Sequence, residues 1–585
     1  MSPKLKPFGD PDKPSKVEQA KARSQHLRGS IDQVLGSDAG SFEHDDVQVM
    51  KFHGIYQQDD RDARALARVT GMGKQYSFML RVRIPGGILT PDQYLAMDKL
   101  ADEVTYNSSL RVTTRQAFQL HGVLKGELKA SMQHINQTLL STLCGCGDVE
   151  RNIMATPAPK ADPAHQAIRQ LAGDLADALA PRTNAYYELW LDGEKVDSSR
   201  EDEDIYGQTY LPRKFKTGIA LPDDNAADVF TQDVGLVAIV DDHGDLKGAN
   251  VLVGGGLGMT HKKPETYARL GTRLGYVDRD NIIPTVRTIA TIFRDFGDRT
   301  DRKHARLKYI IEEQGIDAFR EEFVARADFE LHDWVDVGEV VHQDWLGRHE
   351  QGDGRFFYGV FVPNGRIIDG ETIRMKTAFR TIVQTLDCQA ILTPNQNVIF
   401  ADLAEEAVDK VQKILGAFNV PLLDDLTAVR RSSMACVALP TCGLALTEAE
   451  RVFPDVVEAL EQEFAALGID DAPLTVRMTG CPNGCARPYN ADIGLVGHKP
   501  GHYDVFLGGR LNGDRMAEFY ALNVPQEQIP AKLRPILERY AAERMPEESL
   551  GDFYNRTFAD GAARHMATGD REHPAEARVA PMLTA

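Results

Sequence analysis

Apolar positions along this chain switch between two periods. The run Phe78-Met79-Leu80-Arg81-Val82-Arg83-Ile84 is rich in residues that suit a strand, and the stretch 91–104 is helical in pattern. This alternation of β-rich runs and helical stretches starts near residue 71 and predicts an α+β protein. Residues 1 to about 45 are rich in Lys, Pro, Asp, Ser and Gly with little periodicity, so they read as an extended or partner-contacting arm without a core.

The pattern is also written twice. Arg83-Ile84-Pro85-Gly86-Gly87 and Arg111-Val112-Thr113-Thr114-Arg115-Gln116 are echoed by Phe361-Val362-Pro363-Asn364-Gly365 and Ile391-Leu392-Thr393-Pro394-Asn395-Gln396. Further on, Val234-Gly235-Leu236-Val237 and Val251-Leu252-Val253-Gly254-Gly255 reappear as Ile493-Gly494-Leu495-Val496 and Val505-Phe506-Leu507-Gly508-Gly509. Four echoes in one order predict a duplicated two-module unit, and a pseudo-two-fold interface between copies makes a central crevice.

Length changes the picture little: 585 residues exceed what one core supports and leave room for several domains and large cofactors. Charge changes it more. A formal net charge of −19 repels nucleic acid and anionic lipid, so any anion site must come from locally concentrated Arg and Lys. No stretch of about 18 apolar residues occurs, and the start lacks the apolar core of a secretory signal, which implies a cytoplasmic location. Seven cysteines are too few for a disulfide scaffold, and an odd number cannot all pair within the chain.

Four of those cysteines form a constellation, Cys436-x5-Cys442 and then Cys481-x3-Cys485. Four thiolates on loops match the all-cysteine ligation of an iron–sulfur cluster. Zinc remains an alternative, although its pairs usually sit two to four residues apart, and so do four buried cysteines acting as small hydrophobes. Cys144, Cys146 and Cys388 lack comparable partners and read as structural.

Against the acidic background, cations cluster at Arg81 and Arg83, Arg111 and Arg115, Arg151, Arg213-Lys214-Phe215-Lys216, and Arg299 to Lys308. Alternation in Arg81-Val82-Arg83 and Lys214-Phe215-Lys216 places each pair on one strand face, suited to gripping an anion. The plainer reading is solvated surface charge. Lys214-Phe215-Lys216 lies upstream of Gly235 much as the Cys481–Cys485 loop lies upstream of Gly494, so one copy is expected to supply cations and the other the cluster. Gly254-Gly255-Gly256-Leu257-Gly258 fits neither a P-loop nor a dinucleotide fingerprint and reads as a tight turn beside a bulky ligand. With no nicotinamide fingerprint, electrons are expected from a separate protein.

These motifs, with Phe52 to Asp62, Leu211 to Thr217, Arg299 to Lys303 and Ser433-Met434-Ala435-Cys436, resemble the sulfite and nitrite reductase family along nearly the whole chain. The resemblance implies an arm over 1–70 that wraps a partner or the core, and ferredoxin-like half-modules over 71–160 and 336–425. It also implies a siroheme-binding module over 161–335, and a 4Fe-4S and siroheme module with a tail over 426–585. Cys436, Cys442, Cys481 and Cys485 would hold the 4Fe-4S cluster, with Cys485 shared with the siroheme iron. Arg81, Arg151, Lys214 and Lys216 would surround the substrate anion. Arg111, Arg115, Gln119, Arg213, Arg306, Gln396 and Asn483 match siroheme contacts, with Arg306 standing where relatives can carry Lys. The implied reaction is six-electron reduction of sulfite to sulfide, fed by a flavoprotein reductase that uses NADPH, FAD and FMN, or by ferredoxin. Nitrite reductases of the family often carry Asn in place of one of the paired lysines, so Lys214 and Lys216 favour sulfite. A non-catalytic metal or electron-transfer protein that uses the four cysteines is the reading from another class.

Overall fold

The duplication becomes two sheets that trade an edge strand. The computed structural model describes residues 4–10, 12–182, 188–191, 194–198 and 203–558, so the tail after 558 lies outside the described residues. In chain order the strands of the first half are β1 (Ile55–Asp59), β2 (Tyr76–Arg81), β3 (Ile88–Leu89), β4 (Leu110–Val112) and β5 (Phe118–Val123). A hairpin of β6 (Glu188–Leu191) and β7 (Glu194–Ser198) follows, then β8 (Thr217–Ala220), β9 (Val234–Val240), β10 (Leu246–Val253) and β11 (Thr272–Asp278). The second half supplies β12 (Gly347–Glu350), β13 (Phe356–Val360), β14 (Arg366–Ile367), β15 (Gln389–Leu392) and β16 (Val398–Leu403). It ends with β17 (Met434–Ala435), β18 (Val476–Thr479), β19 (Ile493–Lys499), β20 (His502–Leu507) and β21 (Glu518–Pro525).

Two sheets have the orders β1-β2-β5-β4-β14 and β12-β13-β16-β15-β3, so each half-module lends its short strand to the other. Ile88 pairs with Ile391, and Arg366 with Arg111. One core fuses the two: Phe78, Leu80, Tyr94 and Phe118 share it with Tyr358, Phe379, Ile382 and Phe400. The helix Pro91–Val104 begins and ends where the 91–104 pattern placed it, and its Thr90–Gln93 capping box satisfies the first-turn amides. Its counterpart is Met375–Leu386, whose buried Lys376 reaches Asp98 at 3.0 Å and Asp102 at 2.7 Å.

The exchange depends on two glycines. Gly87 and Gly365 sit at φ +76° and +74°, and a Cβ on either would lie 2.2 Å from the carbonyl oxygen of Leu392 or Val112 in the other half-module. Gly87→Ala is therefore expected to cost about 3 kcal/mol of stability, because both the left-handed backbone and a fixed carbonyl oppose it. A thermal midpoint equal to wild type would contradict this packing.

The other two modules carry the sheets β11-β10-β9-β8 and β17-β18-β19-β20-β21. Their parallel ladders match residue for residue: Thr217 faces Val234, and Val476 faces Ile493. Short turns at Val229–Thr231 and Pro488–Asn490 follow the left-handed residues Asp228 and Arg487. These two equivalent residues meet across the pseudo-dyad at 3.4 Å. The ladders also correct one expectation. Lys214-Phe215-Lys216 precedes β8, whereas Cys481–Cys485 follows β18, so the cation strand and the cysteine loop occupy non-equivalent places in the two copies.

The N-terminal segment also departs from its reading as a coreless arm. It forms the helices Lys16–Arg23, Ile31–Leu35 and His44–Met50, and Leu5 and Leu27 are buried in the core around β8–β11. The buried Lys21 donates to the Leu211 carbonyl at 2.8 Å, pairs with Glu18, and lies 3.5 Å from Asp148. Its anchors are buried ion pairs and isolated apolar residues, which leave no periodic trace in the sequence. Among the described residues no helix is long and apolar enough to cross a membrane.

Candidate functional site

Cysteine-bearing loops leave β17 and β18, which run parallel, so the two cysteine pairs emerge side by side. The Cys436 amide donates to the Met478 carbonyl at 3.1 Å, and the Gly480 amide donates to the Cys436 Sγ at 3.3 Å. Asn483 Nδ2 lies 3.6 Å from the Cys481 Sγ. Gly484 turns the second loop at φ +64°, where a Cβ would meet the Tyr489 ring at 2.9 Å. The need for glycine here comes from backbone and ring.

All four thiols lie in one electrostatic neighbourhood. Burial pushes Cys436 well above the usual thiol range, and Cys485, Cys481 and Cys442 push it further. Cys481 is pushed up to about 12 by burial and then by Cys485, and Cys442 is raised by burial, with Cys485 adding to it. Four thiols in such a place ionise together only around a cationic centre, which is the donor chemistry that iron–sulfur ligation requires. Among the described residues no group of three or more His, Cys, Asp or Glu is gathered as for a single metal ion.

Cations face this loop. Cys485 lies close enough for its charge to act on Lys216, and the Thr114 hydroxyl donates to the Cys485 carbonyl at 3.0 Å. Phe215 is fully buried and stacks on Phe293, so its neighbours Lys214 and Lys216 share the opposite face. Arg151 donates to the Gly147 carbonyl at 2.8 Å and meets Tyr56. Arg81 donates to the oxygen of Gln119, once that amide is oriented to accept, at 2.5 and 3.2 Å. Arg115 reaches Gln232 at 2.7 Å and the Asn152 carbonyl at 2.5 Å, and its Nε has no partner.

Among the described residues no carboxylate lies within ion-pair distance of Arg81, Arg115, Arg151, Arg213, Lys214 or Lys216. Crowding of like charge has the expected result. Burial, then Arg115 and Arg306, brings Lys216 down to about 7, while burial, then Lys216, takes Lys214 well below its usual range. Burial brings Arg115 and Arg213 to about 10, with Arg302 adding to the effect on Arg213. Six basic side chains with no carboxylate partner are suited to an anion carrying several negative charges, whose presence would restore the protonated form of the two lysines.

Three predicted contacts sit differently from the rest. Arg111 is paired with Glu450 at 3.1 Å and donates to the Ala435 carbonyl at 3.0 Å, beside Cys436. Arg306 grips Asp233 at 2.9 Å, and Gln396 donates to the Ala435 carbonyl at 3.2 Å while its buried Oε1 has no partner. Arg81 and Arg83 share a face as expected, because Leu80, Val82 and Ile84 are buried in the half-module core, but Arg83 lies past the end of β2 and reaches Asp177 at 3.8 Å. In the 299–308 run, Arg299 pairs with Glu18 and Arg302 with Asp148, while Lys308 is fully buried among the carbonyls of Gly256, Gly258 and Tyr267. The Gly254–Gly258 turn that Lys308 braces leads to Met259, whose amide donates to the Pro482 carbonyl at 2.9 Å.

Sequence reasoning missed Lys51 and Tyr56. Lys51 is brought down to about 8 by burial and then by Arg302, and Tyr56 is raised by burial and Cys146. Both lie in or beside the Phe52–Asp62 segment that carried the family resemblance, which was the available signal.

The fold and this pairing of thiols with cations define a class, and comparison with known families agrees. The description "Nitrite and sulphite reductase 4Fe-4S domain" matches residues 172–331, and "Nitrite/Sulfite reductase ferredoxin-like half domain" matches residues 71–137 and 348–418. The chain belongs to the nitrite and sulfite reductase family. It is 45% identical over 543 residues, 92% of this chain and 94% of the other, to the sulfite reductase [NADPH] hemoprotein beta-component of Staphylococcus haemolyticus. It is 42% identical over 596 residues, 98% of this chain and 94% of the other, to the sulfite reductase [ferredoxin] of Synechococcus elongatus. Among solved structures the NirA protein of Mycobacterium tuberculosis superposes with a TM-score of 0.75 at 22% identity, covering 93% of this chain and 96% of that one, and so shares the fold.

Proposed function

We propose that this chain reduces sulfite to sulfide as the catalytic hemoprotein of a cytoplasmic sulfite reductase. The observation that carries the reading is the group of six cations without carboxylate partners set against the four-thiol loop pair. When bound, siroheme coupled to a 4Fe-4S cluster supplies single-electron transfer to the sulfur. Cys436, Cys442, Cys481 and Cys485 would hold the cluster, and Cys485 would also serve the siroheme. Arg115, Arg213, Gln119, Gln396 and Asn483 would meet the tetrapyrrole, and Arg111 and Arg306 would meet it already paired to Glu450 and Asp233.

Arg81, Arg151, Lys214 and Lys216 would bind the oxygens of the substrate. Sulfite takes six electrons, and its three oxygens leave as water, so each needs protons as it departs. Lysine transfers a proton that arginine keeps, so Lys214 and Lys216 are the donors while Arg81 and Arg151 stabilise charge. Electrons would arrive from a separate flavoprotein reductase, as the NADPH-type relatives' names favour, with ferredoxin as the second donor class.

The paired lysines also set substrate choice. Purified, cofactor-loaded enzyme is expected to show a higher kcat/KM for sulfite than for nitrite, and the reverse order would assign the chain to nitrite reduction. An absorption spectrum without tetrapyrrole bands in fully loaded material would end the reading in favour of a plain four-cysteine metal or electron-transfer protein.

A further inference from the structure

Arg151 and Lys214–Lys216 come from different segments, and one further side chain ties them together. The segment around 150 runs parallel to the cation strand: Glu150 bridges to Phe215, and Met154 to Gly218. Four residues separate the first bridge from the second on one side and three on the other, so the pairing contains a bulge over Arg151–Ile153. A bulge leaves ladder groups without their regular partners, and here a carboxylate takes up the Thr217 amide and adds a second acceptor to the Arg151 amide, which also donates to the Phe215 carbonyl at 2.9 Å. Glu150 Oε1 accepts from the Thr217 amide at 3.0 Å and from the Arg151 amide at 3.0 Å, while Oε2 accepts from the Thr217 hydroxyl at 2.8 Å. The Glu150 amide in turn lies 3.2 Å from the Tyr206 hydroxyl oxygen.

The placement is specific. Glu150 is 3% exposed and lies beside the core residue Phe215, so strand alternation sends Arg151, Lys214 and Lys216 to the opposite, anion-facing side. The other edge of the bulge is held by Arg115, which donates to the carbonyls of Asn152 at 2.5 Å and Thr217 at 3.3 Å. A buried carboxylate is costly, yet this one makes three hydrogen bonds, two of them to the backbone amides of Arg151 and of the residue after Lys216.

We propose that Glu150 is a positioning residue for the reduction, its carboxylate bridging the Arg151 and Thr217 amides so that Arg151 and Lys216 face the anion at a fixed separation. This rests on the sulfite-reducing site proposed above, although Glu150 itself touches neither substrate nor cofactor. Oriented cations lose much of their value when displaced by about 1 Å, so loss of the bridge is expected to cost on the order of 10- to 100-fold in kcat/KM. Glutamine keeps an acceptor for both amides and can donate to the Thr217 hydroxyl, so it is the conservative rescue.

The test compares wild type, Glu150→Gln and Glu150→Ala, each assayed per mole of bound tetrapyrrole well below its thermal midpoint. Backbone hydrogen exchange over 148–154 and 214–219 is followed in parallel. Glu150→Ala is expected to lose that factor in kcat/KM and to exchange faster in both segments, with Glu150→Gln within about threefold of wild type and still protected. Glu150→Ala kinetics within about twofold of wild type, or unchanged exchange at 151 and 217, would overturn the assignment. So would a Glu150→Gln variant as impaired as Glu150→Ala, because charge rather than the bridge would then matter. Should Glu150→Ala fail to load cofactor, Thr217→Val removes only the hydroxyl contact and is expected to lose about three- to tenfold; full activity in that variant would also overturn it. A wild-type enzyme inactive on sulfite would sink the functional reading instead, and the exchange data would still decide whether the carboxylate holds the two segments.

Discussion

Cys485→Ser is expected to produce no sulfide above background. Of the four thiols Cys485 is the exposed one, and its charge acts on Lys216, so it stands where the proposed cluster would meet the proposed anion site. Serine matches its size but stays protonated at neutral pH and offers a hard oxygen in place of a polarisable sulfur, which suits soft iron–sulfur ligation poorly. Sulfide formation, with iron and tetrapyrrole content measured on the same sample, checks the expectation. Cys388→Ser is the matched control, since Cys388 lies in the core of the half-modules and its thiol is pushed up to about 12 by burial. Normal sulfide output from Cys485→Ser would remove this cysteine from the electron path and with it the proposed coupling.

Lys216→Ala is expected to slow sulfite reduction on the order of 100-fold, the scale of a lost general acid. Alanine removes a cation and a proton donor together, so Lys216→Arg separates the two roles. Arginine keeps the charge and does not release a proton in the working pH range, so that variant should recover sulfite binding, seen in KM, while kcat stays low. Activity within about twofold of wild type for Lys216→Ala would take Lys216 out of the chemistry. Recovery of kcat by Lys216→Arg would leave it a purely electrostatic part.

Much of this was legible before folding. The paired cysteine spacing is a local property of loops, and the helix 91–104 announced itself through its own period. The echoed segments gave the duplication, because equal sequence builds equal ladders. The N-terminal helices were not legible, because their anchors are single contacts such as Lys21 to Leu211, which involve residues distant in the chain. The shared face of Arg81 and Arg83 was legible, because alternation persists past the end of β2 through the buried Val82 and Ile84, whereas the Asp177 partner of Arg83 was not.

By itself the sequence determined the kinds of chemistry present: four thiols able to share a metal cluster, a surplus of local cations in an acidic chain, and two copies of one architecture. Only the tertiary structure decided which cations remain available. Arg111 finds Glu450, Arg306 finds Asp233 and Arg302 finds Asp148, while Arg81, Arg115, Arg151, Arg213, Lys214 and Lys216 meet no carboxylate among the described residues. The strand exchange at Gly87 and Gly365 was likewise settled there. The physical reason is the same in both cases. Hydrogen bonds and ion pairs act over a few ångströms of space, and the partners they join here stand tens to hundreds of residues apart along the chain.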